Sequence, residues 1–320
     1  MISRRSLMWA GLAAPALMAA RPVWAQAAAP NFGTAPLPDP GYRRFKVGSG
    51  EVISLNDGVL RRPLAEEFVR NAPFDAVKAA LASSGLPADY IDVPYNVYLV
   101  LDQGRRILMD AGFADNGPAG TGRIVELLGR IGLQPGDIDT VLVSHFHGDH
   151  ISGLRRKDGS LTFPNARVMV PQPEFDHWMS DERMQAAPQA ARGGFANAKR
   201  VFGGMSDTQL VRFAPGAEVM PSISSIAAFG HTPGQTIFQW RSGSDRFTYL
   251  ADIAHFPALF VRNPDWQVQF DMDAETARQT RRTLLQRMVQ EGGMVGAYHF
   301  PFPGVGRIAA EGSGYVFRAA

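Results

Sequence analysis

Three of the seven histidines of the chain and one carboxylate fall within six consecutive positions, in Ser144-His145-Phe146-His147-Gly148-Asp149-His150. Imidazole and carboxylate groups bind Zn²⁺ and can leave one coordination position open for water. Because four such ligands in so short a segment cannot all reach one ion, the pattern predicts two metal ions. Side chains alternate along an extended chain, so His145, His147 and Asp149 are expected on one side, with His150 following from a turn. A metal-free histidine cluster is disfavoured, because imidazole pairs poorly with apolar packing.

Composition excludes several other classes of site. The chain has 320 residues, 45% of them hydrophobic, which is enough for one large domain or two modest ones. It has no cysteine, so disulfides, thiolate ligands and a cysteine nucleophile are excluded, and any metal must be held by nitrogen and oxygen. The formal charge is +2 and no long basic run is present, so no nucleic-acid partner is expected.

The first 27 residues have the pattern of an export signal. Arg4-Arg5 is followed by an uncharged run from Ser6 to Ala20 and by Ala25-Gln26-Ala27, a small-residue pattern typical of signal-peptidase sites. A periplasmic or secreted protein, cleaved near Ala27, is therefore predicted. The alternative is a membrane anchor, but the apolar run ends at Arg21-Pro22 and is too short to span a bilayer, so no stable anchor is expected.

The route of export stays open between two signals. The segment Ser3-Arg4-Arg5-Ser6-Leu7 resembles a twin-arginine signal, which would let the protein fold and bind metal before export, whereas an ordinary secretory signal also fits. After cleavage the formal charge would be −1, because residues 1–27 contain three arginines and no acid (+2 − 3 = −1). Residues 28–41 carry four prolines and predict an extended arm, which could pack on a second copy in a homodimer. Residues 42–320 are predicted to form one domain.

The elements that must position the ligands follow from periodicity. Ile124, Leu127, Leu128 and Ile131 recur at i, i+3, i+4 and i+7 and predict a helix over 122–131. The remaining predicted elements are strands flanking Asp102-Gln103-Gly104 within 97–109, strands 140–143, 167–170 and 225–229, a helical stretch over 174–184, a hairpin of 236–240 and 246–250, a helix over 273–290 and a strand over 294–298. Four strand ends thus carry the 145–150 cluster, His231, Asp252 and His299, where sheets commonly host sites.

These motifs resemble those of the metallo-β-lactamase-fold hydrolases, and the resemblance runs from about Asp57 to Phe317. The matching motifs, in family order and spacing, are His145-Phe146-His147-Gly148-Asp149-His150, Gly230-His231-Thr232-Pro233-Gly234, Asp252 after Leu250-Ala251, and His299 in Tyr298-His299-Phe300-Pro301. The resemblance implies an α/β fold, the αββα sandwich, in which two mixed sheets pack together with helices on the outer faces.

The resemblance also implies a division of the ligands. His145, His147 and His231 would hold one metal, Asp149, His150 and His299 the other, and Asp252 would bridge two Zn²⁺ ions, although other divalent metals could serve. Two such cations share a water whose pKa falls towards about 7, which supplies a bridging hydroxide as nucleophile. Asp149 or Asp252 would accept a proton as the catalytic carboxylate. Asp110 matches a further family position, where it would either hydrogen-bond to a ligand or serve only in a turn.

Within the superfamily, the chain resembles methyl parathion hydrolase and its lactonase-like relatives. The stretches that carry this likeness are Leu55-Asn56-Asp57-Gly58, Phe163-Pro164-Asn165-Ala166, Phe302-Pro303-Gly304 and Glu311-Gly312-Ser313-Gly314-Tyr315. The likeness implies hydrolysis of esters, lactones or phosphotriesters of apolar small molecules. Trp178 and Phe195 match pocket aromatics of that family, and at most half of a second set would join them, namely Phe113, Phe146, Phe256, Phe260 and Phe300.

Two other activities on the same fold remain as alternatives. A persulfide dioxygenase would use one iron ion and fewer obligatory ligands, so the full set of seven ligands favours hydrolysis. A β-lactamase is disfavoured, because the variants with a cysteine ligand are excluded by composition and the others lack a bridging aspartate like Asp252. His177 and His255 lie outside the motifs and are expected on the surface or in a pocket wall.

Overall fold

Two mixed seven-stranded sheets pack against each other at the centre of the fold. The computed structural model describes residues 30–320, so the predicted export signal lies outside the described residues. Within that part of the chain, no helix has the length and apolar character needed to cross a membrane. Residues 32–320 form one compact unit by internal contacts.

The first sheet contains the amino-terminal half of the strands in sequential order. Its strands are β1 (Tyr42–Val47), β2 (Gly50–Pro63), β3 (Tyr90–Asp102), β4 (Arg105–Met109), β5 (Thr140–Leu142), β6 (Arg167–Pro171) and β7 (Leu210–Phe213). The first four pair antiparallel and the last four pair parallel. Parallel pairing brings the carboxyl ends of β4, β5 and β6 to one edge, which is the edge that carries the histidine cluster.

The second sheet has the order β14-β13-β12-β11-β10-β9-β8. Its strands are β8 (Glu218–Met220), β9 (Ile223–Ala227), β10 (Thr236–Ser242), β11 (Asp245–Tyr249), β12 (Met294–Gly296), β13 (Val305–Glu311) and β14 (Gly314–Ala319). Only β11 and β12 pair parallel, so Asp252 and His299, which follow them, emerge side by side. The ring of Tyr98 in β3 packs on Phe247 and Tyr249 in β11, which joins the two sheets through buried aromatic contacts.

Within residues 30–320, seven α-helices flank the sheets and the loops around the site. They are α1 (Phe74–Ser83), α2 (Ile124–Arg130), α3 (Gly148–Ile151), α4 (Gln172–Trp178), α5 (Asp181–Ala186), α6 (Arg192–Phe202) and α7 (Ala274–Glu291). The longest, α7, packs on β13 and begins after Asp273, whose side chain accepts a hydrogen bond from Thr276 N at 3.0 Å. Gly292, with φ of 64°, ends it in the left-handed region.

The predicted fold class is confirmed, and most predicted elements are present with shifted ends. The stretch 174–184 was wrong as one helix: α4 ends at Trp178, and Ser180 caps a new helix by accepting from Arg183 N at 3.2 Å. The extended segment also stops earlier than predicted. Asp149 lies in the helical turn α3 rather than on a strand, because the helix begins directly after His147, and its ligand atom belongs to a different group from those of His145 and His147.

Candidate metal centre

Seven predicted ligands converge at the edge of the sandwich, delivered by four strand ends. The segment 145–150 follows β5, His231 lies between β9 and β10, Asp252 follows β11, and His299 follows β12. The ligand atoms fall into two groups, in each of which all atoms lie within 4.8 Å of one another. Site A contains His145, His147, His231 and Asp252, and site B contains Asp149, His150, His299 and Asp252. The structure therefore brings together every predicted ligand, and Asp252 belongs to both groups.

The Asp252 carboxylate lies between the two sites. Its Oδ2 is 3.4 Å from His231 Nε2 on the side of site A and 3.2 Å from His299 Nε2 on the side of site B. Its Oδ1 is 3.4 Å from His150 Nε2. One carboxylate that spans two clusters of imidazole nitrogen is the arrangement by which two-metal sites share a ligand.

Most of the imidazoles are oriented by a hydrogen bond on their outer nitrogen. The Nδ1 atoms of four histidines contact protein partners: His145 contacts Ser144 Oγ at 3.0 Å, His150 contacts Asp110 Oδ2 at 2.7 Å, His231 contacts Asp271 Oδ1 at 2.9 Å, and His299 contacts the Pro94 carbonyl at 2.9 Å. Each of these rings therefore turns Nε2 towards the centre. Outer partners of this kind fix the tautomer and the ring orientation of metal-binding histidines.

The nitrogen and oxygen atoms that point to the centre of the cluster are suited to binding a cation. His145 Nε2, His150 Nε2 and Asp252 Oδ1 are buried and have no hydrogen-bond partner among the described residues. His231 Nε2 and His147 Nδ1 lie 2.9 Å apart, where without a cation they can share only one proton between them. A divalent cation would satisfy these nitrogen and oxygen atoms together, so the donor set fits metal binding.

Burial and the charges of neighbouring side chains shift the pKa values of the carboxylates and imidazoles in the cluster. Burial alone would raise the pKa of Asp252, but His299 and His150 hold it well below its usual range. Burial would likewise lower the pKa of His231, yet the Asp252 and Asp271 carboxylates raise it to about 9. The buried carboxylates thus require positive charge beside them, which protons on the histidines or cations in their place would supply.

Asp110 supports both the cluster and the sheet beneath it. This fully buried carboxylate accepts hydrogen bonds from Ser144 N at 2.7 Å and Ser144 Oγ at 2.6 Å, contacts His150 Nδ1, and accepts from Tyr249 OH at 2.6 Å. Of the two predicted roles, hydrogen bonding to a ligand is confirmed. Asp110 also has φ of 63°, so it makes the sharp turn after β4 that directs its side chain inwards.

Asp271 makes the corresponding contact with His231, and no motif in the sequence predicts this role. Its Oδ2 contacts Arg281 Nη2 at 3.2 Å, and Arg281, which is buried within α7, also donates from Nε to the Ile253 carbonyl at 2.6 Å. Arg281 therefore links the Asp271 carboxylate to the loop that carries Asp252. Only packing between distant segments creates this arrangement, since Asp271 lies 40 residues from His231 in the sequence.

Changing Asp271 to alanine is expected to weaken cation binding at site A by about 10–100-fold, because His231 loses the acceptor that orients its ring. The matched control is Asp273→Ala, two residues away, which removes the exposed cap of α7 and is expected to cost about 1 kcal/mol of stability without changing cation affinity. Competition titration with a chelator measures both affinities. Equal affinities in the two variants would contradict the role assigned to Asp271.

Backbone geometry next to two ligands is tightly constrained. Ala251 has φ of 45°, a conformation that costs a non-glycine residue about 1–3 kcal/mol and places Asp252 immediately after β11. Gly230 has φ of 120°, and a Cβ atom there would lie 2.1 Å from Ala277 N. The backbone just before His231 therefore lies against the start of α7. Only a glycine at position 230 permits this distance.

A largely apolar cavity of about 430 Å³ opens over the two sites. Five ligands, His147, Asp149, His231, Asp252 and His299, contribute to its wall, and the remaining lining residues are Arg62, Pro63, Ala65, Phe68, Ile91, Val93, Tyr95, Phe113, Gly148, His255, Phe256, Gln269 and Phe270. The side chain of Asp149 is 21% exposed, whereas that of Asp252 is 3% exposed. Asp149 is therefore the more exposed of the two cluster carboxylates in the cavity wall.

The predicted pocket aromatics lie in two different places. Phe113 and Phe256 line the cavity. Trp178 and Phe195 instead pack on each other beside His147, with tilted rings whose centroids are 4.9 Å apart, and the buried Phe300 packs on Phe317. The expected pocket positions of Trp178, Phe195 and Phe300 are corrected accordingly: α4 and α6 bury the first two, and the chain after His299 turns Phe300 inwards.

The two histidines outside the motifs also differ. His255 is buried in the cavity wall, stacks on His299 at 5.2 Å and places Nε2 3.3 Å from Asp252 Oδ2. Burial lowers its pKa to about 4, so it is a neutral ring beside the site. His177 lies on α4 against Phe195, away from the cavity lining. Neither belongs to a group of ligand atoms, and the pocket-wall position expected for one of them is taken by His255.

Comparison with known proteins settles the family. The family model of the metallo-beta-lactamase superfamily matches residues 90–299, a span that includes all seven ligands. The chain belongs to this superfamily. No curated protein matches the chain significantly in sequence.

Solved structures of superfamily members agree over nearly the whole chain. AidC, a dizinc quorum-quenching lactonase in complex with a product, is 25% identical, with a TM-score of 0.80, and 88% of this chain and 97% of that chain are covered. The hydrolase AbOPH of the beta lactamase superfamily is 24% identical, with a TM-score of 0.81 and the same coverage of both chains. A probable metal-dependent hydrolase from Staphylococcus aureus is 22% identical, with a TM-score of 0.67, and 86% of this chain and 99% of that chain are covered.

The family, the fold and the two groups of ligand atoms together support a metal-dependent hydrolase that binds divalent metal. The resemblance recognised in the sequence is thereby confirmed.

Proposed function

We propose that this superfamily member hydrolyses lactones or carboxylic esters of apolar small molecules, with one Zn²⁺ in site A and one in site B. The observation that carries the proposal is the position of Asp252, which is shared by two groups of ligands at the floor of an apolar cavity. The similarity of the chain to a dizinc lactonase over 88% of its length supports the choice of reaction. Zinc suits these sites because all their ligands are imidazole or carboxylate.

The cations, when bound, would polarise the substrate carbonyl and lower the pKa of water at the site. The chain's own residues then have separate tasks. His145, His147 and His231 hold site A, and their outer hydrogen bonds fix the rings. Asp252 is almost fully buried and belongs to both groups of ligand atoms, so we assign it to holding both cations. Asp149 faces the cavity, and its carboxylate is the group placed to exchange a proton with the substrate.

The walls of the cavity favour an apolar substrate. Phe68, Ile91, Val93, Phe256 and Phe270 give it a hydrophobic lining that would exclude water around the bond to be cleaved. The polar groups of the wall outside the ligand cluster include Arg62 and Gln269, which could contact the oxygens of an ester or lactone. A volume of about 430 Å³ matches a small molecule rather than a polymer.

Metal content measured in parallel with a substrate panel tests this function. The panel contains an acyl-homoserine lactone, an aryl ester, a dimethyl phosphotriester and a cephalosporin, each assayed before and after chelation. We expect two zinc ions per chain, turnover of the lactone and the ester that is lost on chelation and restored by Zn²⁺, and at most slow cleavage of the phosphotriester and the cephalosporin. One iron ion per chain with persulfide oxidation and no hydrolysis would contradict the proposal.

We also propose that the protein acts outside the cytoplasm after removal of residues 1–27. The twin arginines, the uncharged run and Ala25-Gln26-Ala27 support this location. Mass spectrometry of the protein recovered from a bacterial periplasm would show a mature chain that begins near Ala28. A chain that keeps Met1 would contradict it.

A further inference from the structure

Glu174 is a buried carboxylate beside the centre that belongs to neither group of ligands. Its side chain is completely inaccessible to solvent, and its two oxygens accept three N–H donors. Oε2 accepts from Phe146 N at 2.9 Å and from Trp178 Nε1 at 2.8 Å, and Oε1 accepts from Gly234 N at 2.6 Å. A buried carboxylate is costly to desolvate, so three directed donors mark a position that the fold builds for a charged group.

Two of these donors belong to the segments that carry the ligands of site A. Phe146 lies between His145 and His147, and Gly234 follows His231 by three residues. These segments leave different sheets, since the first follows β5 and the second precedes β10. One carboxylate therefore fixes the spacing between the two loops that must close around one cation.

The loop of His231 is also shaped to approach Glu174 closely. A Cβ atom on Gly234 would lie 2.5 Å from Glu174 N and 2.8 Å from Pro173 Cβ, so only glycine allows this contact. The third donor, Trp178 Nε1, connects Glu174 to His147. Glu174 accepts a hydrogen bond from the Trp178 indole, and the indole ring meets the His147 imidazole edge-on, with ring centroids 6.1 Å apart. None of the hydrogen bonds that Glu174 makes within the described residues reaches Asp149, His150 or His299.

We propose that Glu174 is a positioning residue that sets the cation affinity of site A and leaves that of site B unchanged. The inference rests on the proposed two-metal function. Its physical basis is preorganisation: the carboxylate holds His145, His147 and His231 in register before a cation arrives, so the cation need not order two loops. A purely structural role would instead lower the stability of the fold and affect both sites alike.

The decisive experiment isolates each site before changing Glu174. His299→Ala removes a ligand from site B, so site A becomes the site that binds the cation more tightly. His147→Ala removes a ligand from site A, so site B becomes the tighter site. Glu174→Gln is introduced into both backgrounds, because glutamine keeps the shape of the side chain but replaces one acceptor oxygen by an N–H₂ donor that opposes the existing donors. Co²⁺ affinity is measured by competition with a chelator, and the visible absorption of Co²⁺ reports its ligands.

We expect Co²⁺ affinity to fall by about 10–100-fold in the His299→Ala background and to change by less than about threefold in the His147→Ala background. The Co²⁺ absorption bands should shift only in the His299→Ala background. Equal losses in both backgrounds, or no loss in either, would overturn the proposal. Absence of Co²⁺ binding in the unaltered protein would instead overturn the proposed two-metal function, so the two failures are distinguishable.

Two controls separate an effect on cation affinity from an effect on the stability of the fold. They are urea unfolding of the metal-free proteins and the variant Asp102→Asn. Asp102 is a buried carboxylate paired with Arg105 at the far end of β3, so its loss disturbs the fold away from the centre. We expect Asp102→Asn to leave Co²⁺ affinity unchanged. If Glu174→Gln fails to fold, Trp178→Phe replaces it. That variant removes one hydrogen-bond donor to Glu174 and should weaken Co²⁺ binding at site A alone. The expected loss of affinity is at most about tenfold, which corresponds to one net hydrogen bond. An unchanged affinity at site A would then overturn the proposal.

Discussion

Asp252→Ala is expected to reduce kcat/KM for a lactone by about 10³-fold or more and to lower the bound metal from two ions to one or none. Asp252 contacts inward histidine nitrogens of both sites, so no other single side chain affects both cations directly. Charge stabilisation by a metal contributes several kcal/mol to the transition state, and about 4 kcal/mol corresponds to roughly 10³-fold in rate. Metal analysis and steady-state kinetics on the same preparation measure both quantities.

The control for this variant is Asp265→Ala. Asp265 is also an aspartate bound to cationic side chains, Arg278 and Arg282, but it lies outside the cavity lining and both groups of ligands. Exposed ion pairs of this kind contribute little to stability, so activity and metal content should remain those of the unaltered protein. Full activity in Asp252→Ala would rule out the shared-ligand arrangement.

Asp110→Ala is expected to have the largest effect on stability of any change at the centre, lowering the free energy of unfolding by about 3–5 kcal/mol. Four donor groups surround the buried carboxylate, and alanine would leave them without an acceptor. The His150 ring would also lose the partner of its Nδ1, so the cation of site B should bind about 10–100-fold more weakly. Urea unfolding and chelator competition give the two values.

Asp110→Asn separates these two effects. Asparagine keeps one acceptor oxygen and the shape of the side chain, so most of the lost stability should return. Cation affinity at site B should remain reduced, because a neutral amide supports the His150 ring less than a carboxylate does. Native affinity at site B in both variants would show that Asp110 serves only the turn after β4.

The parts of the site that the sequence predicts are those with local signals. The 145–150 cluster is dense in ligands, and His231, Asp252 and His299 each follow an apolar strand pattern, so their residue types and places in the chain could be recognised together. Strand ends that meet at one edge of a sheet explain why the four segments were expected to share one site. The division of the ligands between two metals and the fold class came from the resemblance that these motifs carry.

The supporting residues could not be predicted in this way. Asp271 and Glu174 act through contacts 40, 28 and 60 residues distant in the chain, and nothing in their neighbouring sequence sets them apart from ordinary helix-start and surface acids. Aromatic residues gave a similarly weak signal, because phenylalanine fits a core and a pocket wall equally well. The resemblance predicts Trp178 in the pocket, and Phe300 belongs to the set of which at most half is expected there. Both side chains are instead buried, Trp178 in α4 and Phe300 after the turn at His299.

The most direct test of the central claim is anomalous X-ray diffraction at the zinc edge from crystals of the active protein. Two peaks are expected, one among His145, His147, His231 and Asp252, and one among Asp149, His150, His299 and Asp252. Both should disappear, together with lactone hydrolysis, after chelation. A single peak, or peaks away from Asp252 in a crystal whose dissolved protein still hydrolyses the lactone, would contradict the two-metal account.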